Sequence, residues 1–301
     1  MICFKFYERI ITFVSDIVYG IVKIILVSCN ETRVESMFTG LLTYYKTAIL
    51  EKFVFRQNLL IQIATGFLSS YAGVAIWYVI TQYNIENLGV LVVDQTIKYM
   101  ILSTILSYSF YTPNYYEIFN RVETGNIVHD LVKPIPLPFC LFSKELGAVT
   151  FNFFTHGIST LIVLSFMFKI YWSTSFLNLL LFFVFVFLGF YINHAVTLCF
   201  DMLSFWVYET EALHYVRTAV LSLLSGSLVP LWFYPEIFIK IIDFLPFKGI
   251  VYIPIAMFLG IIPHTEAVKH LVLQLIWCLV LTLITYIIWH FGTKKIVING
   301  G

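Results

Sequence analysis

Charge is what this sequence has least of. Of 301 residues only 12% are Asp, Glu, Lys or Arg, against roughly 25% in an ordinary soluble domain. With 60% hydrophobic residues, 30 Phe and 19 Tyr and a mean hydropathy of +0.89, too little polar surface remains to cover a water-soluble globule. Most apolar side chains must therefore face lipid or one another. The same composition excludes intrinsic disorder. The 18 basic and 17 acidic residues nearly cancel to a net charge of +1, so no global field draws nucleic acid or another polyanion.

Chemistry-bearing motifs are also absent. Cys3, Cys29, Cys140, Cys199 and Cys278 form no CxxC pair and read as small apolar residues. His264, Glu266 and His270 read as a polar loop between apolar segments rather than a metal site. No Gly is followed by Lys, which removes the P-loop, and neither HExxH nor GxSxG occurs. The sequence thus assigns this chain no catalytic, cofactor or metal residue. Ser225-Gly226-Ser227 reads as small residues at a helix-packing surface.

Long apolar runs are what the sequence does have. A membrane-crossing helix needs about 20 apolar residues, and Leu59 to Ile80, Leu146 to Phe168 and Phe176 to Phe200 contain no charged residue. Leu271 to Trp289 makes a fourth run. Leu88 to Tyr111 is a fifth, in which Asp94 and Lys98 can pair at i,i+4 spacing near the helix start. Thr218 to Phe233 is a short sixth, suited to a thinned membrane or a packed site. Six spans put both ends on one side, and that side carries nine Lys or Arg against five opposite, counted from residue 37. The positive-inside rule then makes both termini cytoplasmic.

Ile10 to Leu26 is apolar but interrupted by Asp16 and Lys23, a pattern that suits an amphipathic helix lying at the interface. The sequence is thus divided into an N-terminal amphipathic extension, residues 1–36, and a single membrane domain, residues 37–301. Leu26-Val27-Ser28-Cys29 has the form of a lipoprotein cleavage box, but the charges within the would-be signal core oppose that use. Met37 is an alternative start. Leu41 to Asn58 is a second amphipathic stretch, expected to lie along the cytoplasmic surface. Between Pro235 and Ile262, two apolar stubs of about 9 and 13 residues are each too short to cross about 30 Å of hydrocarbon. They predict an outer re-entrant helical pair before the last span, with Glu236, Lys240, Asp243 and Lys248 holding the first stub near the surface. The fold class is therefore an all-α polytopic membrane protein.

Inside the spans, Asn152 with His156, Asn193 with His194, and Asp201 are the candidates for a polar translocation route, with interhelical hydrogen bonding as the competing explanation. Residues Phe119 to Pro134 mix charges with Ile127, Val128 and Leu131, which suits a short surface helix for a soluble partner, ended by Pro134.

Several separated pieces together resemble the six-span permease subunits of type-2 ABC exporters. They are Phe55-Arg56 before the first span, Glu123-Thr124-Gly125 leading into Leu131-Val132-Lys133-Pro134, and Phe205-Trp206. They continue with Ser225-Gly226, Pro230-Leu231, Pro235, Leu245-Pro246-Phe247, Tyr252, Pro254 and Gly260, and end with Lys294-Lys295-Ile296-Val297 and Gly300-Gly301. The resemblance covers about residues 38–301. It implies two permeases, identical or related, in the bacterial cell membrane, driven by a cytoplasmic ABC ATPase dimer that binds ATP and Mg. It further implies that Arg121, Glu123, Thr124, Gly125, Asp130, Lys133 and Pro134 belong to the ATPase-coupling surface. The outer helical pair would be shaped by Pro230, Pro235, Pro246, Phe247 and Pro254. A multi-pass membrane enzyme and an ion-coupled carrier or channel are the competing classes, and only the exporter requires a bound soluble ATPase. The exported substrate is left open.

Overall fold

The computed structural model describes residues 31–54, 56–83, 90–110, 117–207 and 210–295. Among them every regular element is helical: α1 (Glu31–Val54), α2 (Arg56–Tyr83), α3 (Val90–Phe110), α4 (Glu117–Glu123), α5 (Ile127–Leu131), α6 (Leu137–Asn152), α7 (Ile158–Met167), α8 (Phe176–Met202), α9 (Thr210–Leu224), α10 (Glu236–Phe244), α11 (Tyr252–Phe258) and α12 (His264–Lys294). The expected interfacial helix in Ile10 to Leu26, the Leu26–Cys29 box, Phe55 and residues 296–301 lie outside the described residues. The chain divides into two compact units, residues 1–59 with 128–151 and residues 60–127 with 152–301.

In the first unit, α1 buries Leu41, Tyr45, Ala48 and Ile49, three- and four-residue steps that place them on one stripe. Tyr45 and Ile49 pack with Phe151 of α6, flanked by Leu42 and Leu146. A side chain at Gly147 would stand 2.5 Å from the Tyr45 carbonyl oxygen, so the glycine is what lets the two backbones touch. Lys46, Leu50 and Glu51 are exposed on the other side of α1.

The second unit is built around α8, which packs against α9, α11 and α12. Its core joins Phe185 of α8, Ile253, Ala256 and Met257 of α11, and Ile262 and Ala267 near the start of α12. Gly189 allows this approach, because a side chain there would meet the Gly249 carbonyl at 2.7 Å. That carbonyl accepts 2.7 Å from the buried Gln274 amide of α12.

Four segments are long and apolar enough to cross a membrane: Leu60–Tyr83, Leu137–Met167, Phe176–Phe205 and His264–Lys294. They cover four of the six expected runs to within one residue at either end. The fifth, α3, has 21 residues, about 31 Å at 1.5 Å rise, and its Lys98 reaches Asp94 at 2.7 Å. The sixth departs from expectation. Thr218 to Phe233 is not one helix, because α9 stops at Leu224 and Gly226 takes a φ of +80°. Ser225-Gly226-Ser227 is thus a turn, not a stretch of helix-packing surface. His264, Glu266 and His270 likewise form the first turns of α12 rather than a loop.

The two stubs become α10, of 9 residues, and α11, of 7. Residues Ile253 to Met257 are all buried, whereas α10 exposes Ile237, Phe238, Ile241 and Phe244. Lys248, expected near the surface, is buried and bonds Asp243 at 2.6 Å, because a Lys drawn out of water needs a carboxylate partner.

Candidate functional site

The segment from Glu117 to Pro134 is two short helices, not one. In the second unit, α4 begins over α8: the Asp201 carboxylate accepts from the Ile118 backbone N–H at 3.1 Å and from that of Phe119. Ile118 is fully buried. Glu117 and Arg121 bridge one turn of α4 at 2.7 Å. The helix ends where Thr124 N–H donates to Asn120 O and Gly125 N–H to Val122 O, with Gly125 at φ +73°, a left-handed position that glycine fills without a Cβ penalty. Glu123, Thr124, Gly125 and Asn126 are exposed.

In the first unit, the segment after Ile127 carries Asp130, buried, whose carboxylate accepts from Lys133 at 2.7 Å. That bond pushes the Lys133 ammonium pKa up, helped by Tyr44 of α1. Val132 is 82% exposed and Leu131 44%, and Pro134 follows in an exposed turn.

The polar positions in the spans are all buried. Asn152 is the last residue of α6 and is followed by one π-helical turn, Phe153–Gly157, in which His156 sits, and such turns occur frequently at functional sites. The His156 ring lies 3.9 Å from that of Tyr108, and its Nε2 is 3.2 Å from the Thr160 hydroxyl. Gly66 of α2 closes over it, with room for no side chain. Asn193 and His194 lie on the buried side of α8, the His194 ring 6.3 Å from Phe190. Asp201, near the end of the same helix, meets the start of α4.

The prolines mark breaks. Pro230 precedes the turn Leu231–Phe233, Pro235 caps α10, and Pro246 begins the turn Phe247–Gly249. Pro254 is buried within α11.

Sequence reasoning missed the donors that close on the turn after α9. Tyr99 donates to Gly226 O at 2.7 Å, Ser103 to Ser227 O at 2.9 Å, and Trp77 Nε1 to Leu228 O at 3.2 Å. It also missed buried Arg217 of α9, which acts electrostatically on Asp201 and donates to His214 Nδ1 at 3.1 Å. A buried Arg on a helix entering an apolar run was the available signal.

Among the described residues, long apolar helices are joined by a polar segment of short helices, and the candidate polar groups within the spans are buried. No curated protein matches the chain. A family model described as ABC-2 family transporter protein matches residues 59–300 of the 301. The chain therefore belongs to the ABC-2 transporter family, as the membrane-spanning permease of a type-2 ABC transporter.

Proposed function

We propose that this permease forms half of an ATP-driven export pathway, paired with a second permease, identical or related, and powered by a separate cytoplasmic ABC ATPase dimer that holds the ATP and Mg. The single observation that carries the coupling role is the exposed polar tip at Glu123, Thr124 and Gly125, where a side chain on Gly125 would meet nothing within 4 Å. Such a tip suits a soluble partner and not lipid. Arg121, Asp130, Lys133 and Pro134 complete the coupling segment. Closure of the ATPases moves it, and two arrangements of the permease interface give alternating exposure.

In this reading α3 and the broken segment Thr218 to Phe233 complete six spans, with residues 207–217 on the cytoplasmic side, and α10 with α11 forms the outer re-entrant pair. Both termini are cytoplasmic in a bacterial cell membrane, and residues 1–36 form an amphipathic extension of the membrane domain 37–301. Asn152, His156, Asn193, His194 and Asp201 border the route, whose aromatic surroundings suit an amphipathic or lipophilic substrate.

Co-purification with the ABC ATPase and side-specific labelling test this together. Gly125→Trp, or reversal of charge at Arg121 and Glu123, is expected to weaken ATPase association while leaving the permease inserted. Cysteines at Lys133 and at exposed Lys240 should label from opposite sides of sealed cells. Lys248 is too buried to serve. An undiminished association in the Gly125→Trp chain would return the tip to a plain connecting loop, and labelling of both cysteines from outside would end the six-span topology.

A further inference from the structure

A seven-residue helix such as α4 cannot hold its own direction, because isolated helices below about 12–15 residues are marginal in water. Its direction is set from outside. The buried Asp201 carboxylate, one residue from the end of α8, accepts from the Ile118 backbone N–H at 3.1 Å and from that of Phe119. These are N–H groups of the first turn, which have no partner within a helix. Ile118 is buried beside them, and α4 also packs on the turn Leu203–Phe205 that continues α8. Buried Arg217 of α9 also acts on this carboxylate electrostatically, less strongly than the two backbone N–H groups do. One side chain thus joins the coupling helix to α8, the helix against which α9, α11 and α12 all pack.

We infer that Asp201 is a positioning residue, the joint through which displacement of α4 moves α8. This deepens the exporter reading above and rests on it for the partner, but not for the contact itself. A joint of this kind acts as a hydrogen-bond acceptor, so Asn, which keeps an acceptor oxygen at the same reach, preserves it, whereas Ala removes it.

The test uses the full-length permease in lipid nanodiscs with its ATPase and MgATP. Nitroxide labels on Asn120 of α4 and Lys294 of α12, both exposed, report the order of α4. The expected result is a narrow distance distribution in the parent chain and in D201N, and a broad one in D201A. D201A should still bind the ATPase but lose about fivefold in permease-dependent ATP hydrolysis, the effect of one lost cap of about 1 kcal/mol, and D201N should restore it. If D201A does not insert, D201S, whose hydroxyl falls short of the α4 donors, takes its place with the same expected loss against D201N. A D201A or D201S distribution as narrow as the parent's, with undiminished hydrolysis, overturns the joint. So does a D201N chain as impaired as D201A, which would assign the effect to charge on Arg217. Absence of ATPase binding by the parent chain would overturn the exporter reading instead, and the distance arm alone would then decide the role of Asp201.

Discussion

Two glycines in this molecule take nearly the same backbone conformation in opposite surroundings. Gly125 at φ +73° ends α4, and Gly226 at φ +80° follows the end of α9. A side chain added to Gly125 would meet nothing within 4 Å, whereas one on Gly226 would stand 2.8 Å from the Tyr99 hydroxyl and 3.2 Å from Leu231. At the second turn, four successive carbonyls each have a donor from elsewhere in the chain. Ser225 O takes the Tyr252 N–H at 3.2 Å, and Gly226, Ser227 and Leu228 take Tyr99, Ser103 and Trp77. Buried irregular backbone must have its polar groups satisfied by protein, and here α2, α3 and α11 supply the donors that enclose the α9 break. The Gly125 turn faces open space and needs no such enclosure. One turn is fixed by its neighbours, and the other is left free to meet something.

The sharpest way to break this comparison is to give both glycines a Cβ. At Gly226 an Ala combines the strain of a left-handed L-residue, about 1–2 kcal/mol, with displacement of the Tyr99 hydroxyl, which leaves a buried carbonyl unpaired at about 1–3 kcal/mol. G226A should be the most destabilised variant, seen as a lowered thermal midpoint in detergent by fluorescence-detected size exclusion. Parent-like melting would mean that the turn is not enclosed. Tyr99→Phe removes only the hydrogen bond and keeps the ring against Trp232, 4.9 Å away. It should cost about 1–3 kcal/mol by the same measurement, and a neutral Y99F would show that another donor reaches Gly226 O.

The same contrast explains what could be read from sequence. Charge-free runs such as Phe176 to Phe200 were legible because a whole helix of apolar side chains has few alternatives in water or lipid. The pairing of Asp94 with Lys98 was legible because it is local. The α9 break was not, since Ser225-Gly226-Ser227 carries the same small residues whether helices pack there or a turn forms. The deciding donors come from Tyr99, Ser103 and Trp77, more than a hundred residues away. Asp201 was legible as a costly polar residue at the end of a span, but its partner is a backbone N–H, which leaves no mark in the sequence. Lys248 was misjudged because its carboxylate partner, Asp243, lies at a spacing that only the turn after Pro246 brings together.

At Gly125 the same substitution should do far less. With no steric contact to lose, G125A carries only the left-handed strain of about 1–2 kcal/mol, and G125N less, because Asn adopts that conformation more readily. The expected order of thermal midpoints is parent, then G125N, then G125A, with both above G226A. A G125A chain as unstable as G226A would show that the tip is enclosed and unsuited to docking.

The smallest expected effect lies on α9, at His214. Its Nδ1 accepts from Arg217 at 3.1 Å, which requires a neutral ring. Burial, and then the Arg217 charge, hold its pKa below the usual imidazole range. The unfolded chain therefore binds this proton at a higher pH than the folded one, and stability rises with pH wherever the unfolded state holds more protons. Acidification through the ordinary imidazole range should thus lower the thermal midpoint, and the loss should continue until the folded ring itself is protonated and repels Arg217. His214→Gln keeps an acceptor for the guanidinium without a titrating proton. The difference in midpoint between parent and H214Q should therefore shrink or reverse in favour of H214Q as pH falls. Parallel midpoint curves for the two chains across that range would show that His214 is not neutral where it meets Arg217.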